Sequence, residues 1–288
     1  MMLKLKTLII LVLLIIISIG NTGCNNDKSQ GWFDLMDEAI TAMQSSSDVN
    51  VTPECLDEAT YEGEIVPCLT SIIESNGTIM FTSNNSTLVS SVNSGLIIYP
   101  GGSIDPRAYA VAAQTIAKTG FKVFIVPMKG MIAFTGITRA DKVISENNDT
   151  IDNWFMAGHS LGGVGSIMYI KNSDNSSIHT DEVLGLILWG TYCTPSIDIS
   201  ENNTTAVLSI YGTKDGLSTV EEILGISSVS SLPASTQYEA IVGGNHSQFG
   251  YYGGQDGDFE ADITREEQHN QFISKTIDFM NTVLGGLK

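Results

Sequence analysis

One serine in the sequence has neighbours suited to a nucleophile. The segment 158–162 reads GHSLG; it follows the apolar run 154–157 and precedes a helical pattern over 161–171. A serine on a sharp strand-to-helix turn exposes its hydroxyl, and glycines two positions before and after it leave room for the neighbouring strand and helix. The start of the helix directs free N–H groups at a reacting oxygen. The pattern predicts Ser160 as an acyl-transfer nucleophile; the alternative is a glycine-rich turn with an idle serine.

A serine hydroxyl needs a base, and that base needs a third group to orient it. His246 comes just after a predicted strand over 236–242, and Asp215 just after one over 206–211. Both side chains would therefore lie on loops at the carboxyl ends of strands. We predict His246 as the general base and Asp215 as the acid that orients it. The alternatives for the acid are Asp198, Asp256 and Asp258.

The remaining histidines fit the role of base less well. His159 adjoins the nucleophile but points the wrong way from a turn, so we expect it to pack or to hydrogen-bond. His179 lies in a polar loop and is expected to be solvated. His269 lies among charged residues of the last helix and is expected at the surface.

An oxyanion hole needs two backbone N–H groups aimed at the developing negative charge. Leu161, directly after the nucleophile, is predicted to supply one. Gly102 (or Ser103) is predicted to supply the other, because it follows the buried strand 96–99 and Pro100 has no N–H to donate. The apolar stretch that contains Met131 and Phe134 is the candidate wall for the acyl group, with ordinary core as its alternative.

These residues need a scaffold that brings them to one edge. Continuous apolar strands alternate with helical patterns from residue 78 to the end, which is typical of a mostly parallel sheet covered on both faces. We predict an α/β domain over 76–288, preceded by a tether and N-terminal extension over 25–75. Residues 79–81 and 87–89 are expected to form a hairpin around Asn84 and Asn85.

Several motifs together resemble the α/β-hydrolase superfamily, and within it the dienelactone-hydrolase-like grouping called α/β-hydrolase family 5. The segments are YPGG at 99–102, DPRAY at 105–109, GHSLGG at 158–163, YGTKDG at 211–216, GGNHSQFG at 243–250, GQDGD at 254–258 and REEQ at 265–268. The resemblance implies an α/β-hydrolase fold without a large cap, and a Ser-Asp-His hydrolase of small esters that uses no metal or organic cofactor. Dienelactone hydrolases use cysteine where this chain has Ser160, so their substrate is not carried over.

The sequence therefore predicts a serine hydrolase acting on a small acyl substrate. An acyltransferase is chemically adjacent, and the competing hypothesis is a non-catalytic envelope protein that binds a ligand or partner on the same scaffold. With 32 acidic and 14 basic residues and a net charge of −18, a nucleic-acid partner is excluded.

The N-terminus and the cysteines indicate export. Residues 1–24 have two lysines, an apolar run of twelve residues and a terminal Gly-Cys, which resembles a lipoprotein signal peptide. We predict lipidation of Cys24 and a lipid anchor on the outer side of the cytoplasmic membrane; secretion and a retained anchor are the alternatives. Outside the cytoplasm, Cys55 and Cys68 are expected to form a disulfide.

Overall fold

The structure, a computed structural model, describes residues 35–57, 66–172 and 177–287. The strands are β1 (Val49–Thr52), β2 (Ile79–Ser83), β3 (Ser94–Tyr99), β4 (Lys122–Ile125), β5 (Asn153–His159), β6 (Val183–Trp189), β7 (Ala206–Gly212) and β8 (Gln237–Ile241). They form one sheet in the order β1-β2-β4-β3-β5-β6-β7-β8. Pairing is parallel from β4 to β8, and only β1 and β2 run antiparallel to their neighbours. The predicted fold class, a mostly parallel α/β-hydrolase sheet, is confirmed.

Helices connect the strands, as parallel pairing requires. They are α1 (Asp37–Ala42), α2 (Pro67–Glu74), α3 (Ser86–Val92), α4 (Ala110–Ala117), α5 (Arg139–Asn147), α6 (Leu161–Lys171), α7 (Val220–Ile223), α8 (Ile226–Val229) and α9 (Arg265–Gly285). Short 3-10 helices span Pro106–Tyr109, Lys129–Met131, Ala133–Thr135, Thr180–Glu182, Pro195–Ile197 and Ser247–Phe249. The sequence predicts helices over 139–147 and 161–171, and the observed bounds of α5 and α6 coincide with these ranges.

The sheet separates two hydrophobic cores. Successive side chains of a strand point to opposite faces, and β3 shows this clearly: Leu96 and Ile98 belong to one core, while Ile97 and Tyr99 belong to the other. All four are fully buried. A strand buried on both faces reads as a continuous apolar run, and this is why the central strands were predictable from the sequence.

The predicted hairpin around residues 84–85 is wrong. Only its first half is a strand, β2, and Thr87–Val89 lie in helix α3. The Asn85 side chain accepts a hydrogen bond from the Leu88 N–H at 3.1 Å, so it caps the helix. Asparagine favours this position as much as a turn, since its side-chain oxygen replaces a missing backbone acceptor.

The prediction of a tether before residue 76 needs correction for the residues that the structure describes. Strand β1 pairs with β2 as the edge of the sheet, and its Val49 and Val51 are buried in one of the two cores. Cys55 and Cys68 form a disulfide. The buried Arg107 donates to the Cys55 carbonyl at 3.2 Å, which attaches this segment to the domain. Residues 1–34, with Cys24, lie outside the described residues.

In the described ranges, no helix has both the length and the apolar character needed to cross a bilayer.

Candidate active site

Ser160 occupies a strained turn between β5 and α6. Its φ of 51° and ψ of −122° place a non-glycine residue in a region that L-amino acids rarely adopt. Two neighbours on the next strand connection fix this turn: the Ser160 N–H donates to the Trp189 carbonyl at 3.0 Å, and the Thr191 hydroxyl donates to the Ser160 carbonyl at 3.1 Å. Strain of this kind is retained where the surrounding structure enforces it, typically at functional sites.

The glycines of the motif are required by close backbone approach. A Cβ on Gly158 would lie 2.5 Å from the backbone of Gly162 and Gly163, at the start of the helix. A Cβ on Gly162 would collide with the Tyr99 and Pro100 carbonyls at the end of β3. The nucleophile turn is therefore held tightly against the neighbouring strand that leads to the predicted oxyanion loop.

Asp215 and His246 form a buried hydrogen-bonded pair. His246 Nδ1 lies 2.8 Å from Asp215 Oδ2, and both side chains are almost fully shielded from solvent. The other oxygen of Asp215 accepts from the Leu217 and Ser218 N–H groups. A carboxylate can only accept, so the proton of a neutral imidazole lies on Nδ1 and the Nε2 lone pair is free. His246 Nε2 is buried and has no hydrogen-bond partner among the described residues.

Gly190 connects this pair to the nucleophile turn. It lies between Trp189 and Thr191, the two residues that bond the Ser160 backbone. A Cβ on Gly190 would lie 3.0 Å from Asp215 Oδ2 and 3.2 Å from His246 Nδ1. The same short connection therefore contacts the serine on one side and the Asp–His pair on the other. Its φ of 52° further favours glycine.

Asp258 fastens the two loops that carry the acid and the base. Its carboxylate accepts from the Gly216 N–H at 3.1 Å, the His246 N–H at 3.1 Å and the Ser247 N–H at 2.8 Å. It contacts backbone rather than the imidazole ring. Of the alternative acids, Asp258 is thus a positioning residue, while Asp198 bonds the Ser200 N–H instead of the imidazole.

Gly102 and Leu161 face each other beside the serine. A Cβ on Gly102 would lie 2.7 Å from Leu161 Cδ2. The N–H of Ser103, the alternative donor, already donates to the Met131 carbonyl at 2.8 Å. Among the described residues, neither the Gly102 nor the Leu161 N–H has an acceptor, so both remain available for a developing oxyanion.

The predicted acyl wall borders this loop. Met131 is buried and its carbonyl holds Ser103, while Phe134 is half-buried. Ala133, between them, would lie 2.9 Å from a Cβ on Gly165 of helix α6. The segment packs against both the oxyanion loop and the nucleophile helix.

His159 is a buried partner of the site and not a base. Its Nδ1 lies 2.8 Å from the Tyr109 hydroxyl, which also accepts from the Gly101 N–H at 3.0 Å. Its ring centroid is 4.5 Å from that of His246. Burial, with the charge of His246, holds the pKa of His159 well below its ordinary value. Tyr109 and Gly190 had no sequence signal as site residues.

The other two histidines differ from each other. The prediction that His269 is exposed is wrong: it is buried between Tyr251 and Phe272, and burial lowers its pKa to about 3. The expectation that His179 is solvated is also wrong: only 15% of its side chain is exposed, and its ring contacts Ser145 and Glu182. In the described part of the chain, no three His, Cys, Asp or Glu side chains are grouped so as to hold a metal ion.

Comparison with known proteins supports the fold and shows the family of the chain. A model of the alpha/beta hydrolase family matches residues 95–270. No curated protein matches the chain. Among solved structures, Est1E from Butyrivibrio proteoclasticus is 15% identical with a TM-score of 0.50, over 73% of this chain and 96% of that one. Est1E with ferulic acid bound is 15% identical with a TM-score of 0.51, over 74% and 98%. At this identity the likeness concerns the fold.

Proposed function

The chain belongs to the alpha/beta hydrolase family, and from this premise we propose that it is an exported serine hydrolase that cleaves a small ester or related acyl compound. The observation that carries the proposal is the free, buried Nε2 of His246, whose ring is oriented by Asp215. Such a nitrogen is a base without a proton donor in the resting site. In the proposal its proton donor is the Ser160 hydroxyl, and support comes from the backbone bonds that hold the Ser160 turn to Trp189 and Thr191, on either side of Gly190.

In the proposed reaction, Ser160 Oγ attacks the acyl carbon and its proton passes to His246 Nε2. Asp215 stabilises the imidazolium that forms. The Gly102 and Leu161 N–H groups bind the oxyanion, which is the step where preorganised donors contribute most. His246 then protonates the leaving alkoxide. Water, activated by the same imidazole, releases the acid and restores the serine.

The described connection between β6 and β7 holds no lid domain, which suits a small substrate that reaches the site directly. Lid domains of this fold are commonly inserted before the strand that leads to the acid, and here β6 and that strand, β7, are joined by a loop with one short 3-10 helix, Pro195–Ile197. Met131 and Phe134 would contact the acyl chain. An acceptor other than water would turn the same acyl-enzyme into an acyltransferase.

The test is a series of p-nitrophenyl esters of increasing acyl length, assayed on the full-length wild type and on Ser160→Ala. We expect turnover that depends on Ser160 and declines at long acyl chains. A folded wild type that hydrolyses none of the esters and takes no fluorophosphonate label at Ser160 would support the non-catalytic binding protein instead.

The proposed location outside the cytoplasm has separate support. The Cys55–Cys68 disulfide suits an oxidising compartment. A lipid on Cys24 would leave the domain on the outer side of the cytoplasmic membrane. We expect cells to incorporate radiolabelled palmitate into the wild type but not into Cys24→Ser; equal incorporation would contradict lipidation at this residue.

A further inference from the structure

A second serine in the structure contacts an oriented imidazole. Ser145 Oγ, on the exposed side of helix α5, lies 2.7 Å from His179 Nε2. His179 Nδ1 in turn contacts Glu182 Oε1. The carboxylate selects the tautomer with the proton on Nδ1, so that Nε2 can accept the serine proton. The order of contacts is serine, histidine, carboxylate, the order of groups that we propose for catalysis at Ser160.

The backbone around this group is also held. Asp141 Oδ1 accepts from the His179 N–H at 3.1 Å and from the Ile178 N–H at 3.1 Å. The same oxygen accepts the Tyr169 hydroxyl at 2.8 Å, which links the loop to helix α6. His179 is thus positioned by interactions other than its contact with Ser145.

This group is remote from Ser160. Glu182 directly precedes β6, whereas Ser160 directly follows β5, so the two serines lie at opposite ends of the parallel strands. A strand of seven residues spans about 23 Å. No step proposed for Ser160 involves Ser145.

We propose that Ser145 is a second reactive serine, a modification site that accepts acyl or phosphonyl groups from activated reagents. Ser145 Oγ bonds to the acyl carbon or phosphorus, and its proton passes to His179 Nε2, with Glu182 stabilising the imidazolium. The bond to the leaving group breaks, and p-nitrophenolate or fluoride departs with its electron pair. The proton on His179 then passes to solvent, to which the ring is partly open.

The modification is expected to be single-turnover. Ser145 is in the last turn of α5, and a helix ends in free carbonyls and the negative end of its dipole, which disfavour an oxyanion. The nearby Ile178 and His179 N–H groups already donate to Asp141. A good leaving group compensates for this in the first step. The resulting serine ester has only an alkoxide to expel, so water removes it slowly.

The experiment labels full-length Ser160→Ala with a fluorophosphonate and locates the adducts by peptide mass spectrometry. We expect an adduct at Ser145 that is lost in Ser160→Ala/Ser145→Ala and falls at least about tenfold with His179→Asn. Ser91 is the matched control, because it is an exposed serine in the last turn of helix α3 whose hydroxyl donates to the Leu88 carbonyl. It should remain unlabelled.

Two results would overturn the proposal. One is the absence of an adduct at Ser145 in protein whose thermal unfolding matches the wild type. The other is labelling at Ser145 that equals that of Ser91, or that His179→Asn and Glu182→Gln leave unchanged. Because the assay is read in Ser160→Ala, it does not depend on the function proposed for Ser160.

Discussion

The two ends of the sheet carry similar side chains in different surroundings. At the carboxyl end, Ser160 lies in a strained turn with two free N–H groups beside it and a buried Asp–His pair. At the amino end, Ser145 lies on a helix end with an imidazole at hydrogen-bond distance but with the nearby N–H groups occupied. Under the two proposals, an activated serine is common to both ends of the sheet, and oxyanion donors and burial separate turnover from modification.

The largest expected effect is the loss of turnover on removal of the His246 imidazole, with removal of the His179 imidazole as the comparison. His246→Asn should lower kcat/KM for p-nitrophenyl acetate about 10⁴-fold, because the serine loses its base. His179→Asn should leave turnover unchanged while it removes the label from Ser145. Steady-state assays on both variants check this, and equal losses of turnover would show that the two groups are not distinct in function.

The oxyanion donors can be displaced without touching the triad. Gly102→Ala inserts a methyl group 2.7 Å from Leu161 Cδ2 and 3.3 Å from Leu161 Cβ, so Leu161 or the Gly102 loop must shift, and we expect the spacing of the two N–H groups to change. We expect kcat to fall about 10²-fold, since misplacement by about 1 Å costs that much. Gly254→Ala, where an added Cβ meets nothing within 4 Å, is the control. An unchanged kcat in Gly102→Ala would show that the Gly102 N–H is not part of the oxyanion hole.

Replacement of Asp258 tests how much the site at the carboxyl end of the sheet depends on the position of the two loops that carry Asp215 and His246. Asp258→Ala leaves four backbone N–H groups and the Ser247 hydroxyl without their acceptor, and should cost about 1–3 kcal/mol of unfolding free energy. Because the His246 loop then moves, kcat should also fall, by about tenfold, with little change in KM. Asp256→Ala, an exposed neighbour, should do neither. Stability loss with unchanged kcat would make Asp258 purely structural.

The smallest expected effect concerns the imidazole of His269, which is buried in the folded protein and exposed in the unfolded chain. The pKa of His269 is about 3 in the folded protein, so the unfolded chain takes up a proton there as pH falls below about 6.5 while the folded chain does not. Stability due to the neutral ring is complete above about pH 6.5 and is lost towards about pH 3. Relative to the wild type, His269→Phe should gain about 2 kcal/mol between about pH 8 and about pH 5. Denaturant unfolding at both pH values measures this; a pH-independent difference would contradict the shift.

Local sequence patterns predicted the strands and helices in which successive residues have similar surroundings. The central strands read as continuous apolar runs because both faces are covered, and α5 and α6 have the predicted ends. The serine turn was predictable because its residue pattern lies within one short segment, although Gly162 is required by the distant Tyr99 and Pro100 carbonyls. Asn85 was misassigned because helix caps and turns favour the same side chain. Strand β1 was missed because an edge strand of four residues with one buried face carries a weak pattern.

By itself the sequence predicted a nucleophile, an order for the triad and the alternation of strands and helices, since each depends on spacing within one segment or on the order of segments. Only the tertiary structure decided what surrounds them. It placed the Asp258 carboxylate against backbone N–H groups instead of beside the imidazole ring. It placed Gly190 between the serine turn and the Asp–His pair. It also placed Ser145 within hydrogen-bond distance of His179, which lies more than thirty residues later in the chain. Such contacts join segments whose distance along the chain carries no information about their distance in space.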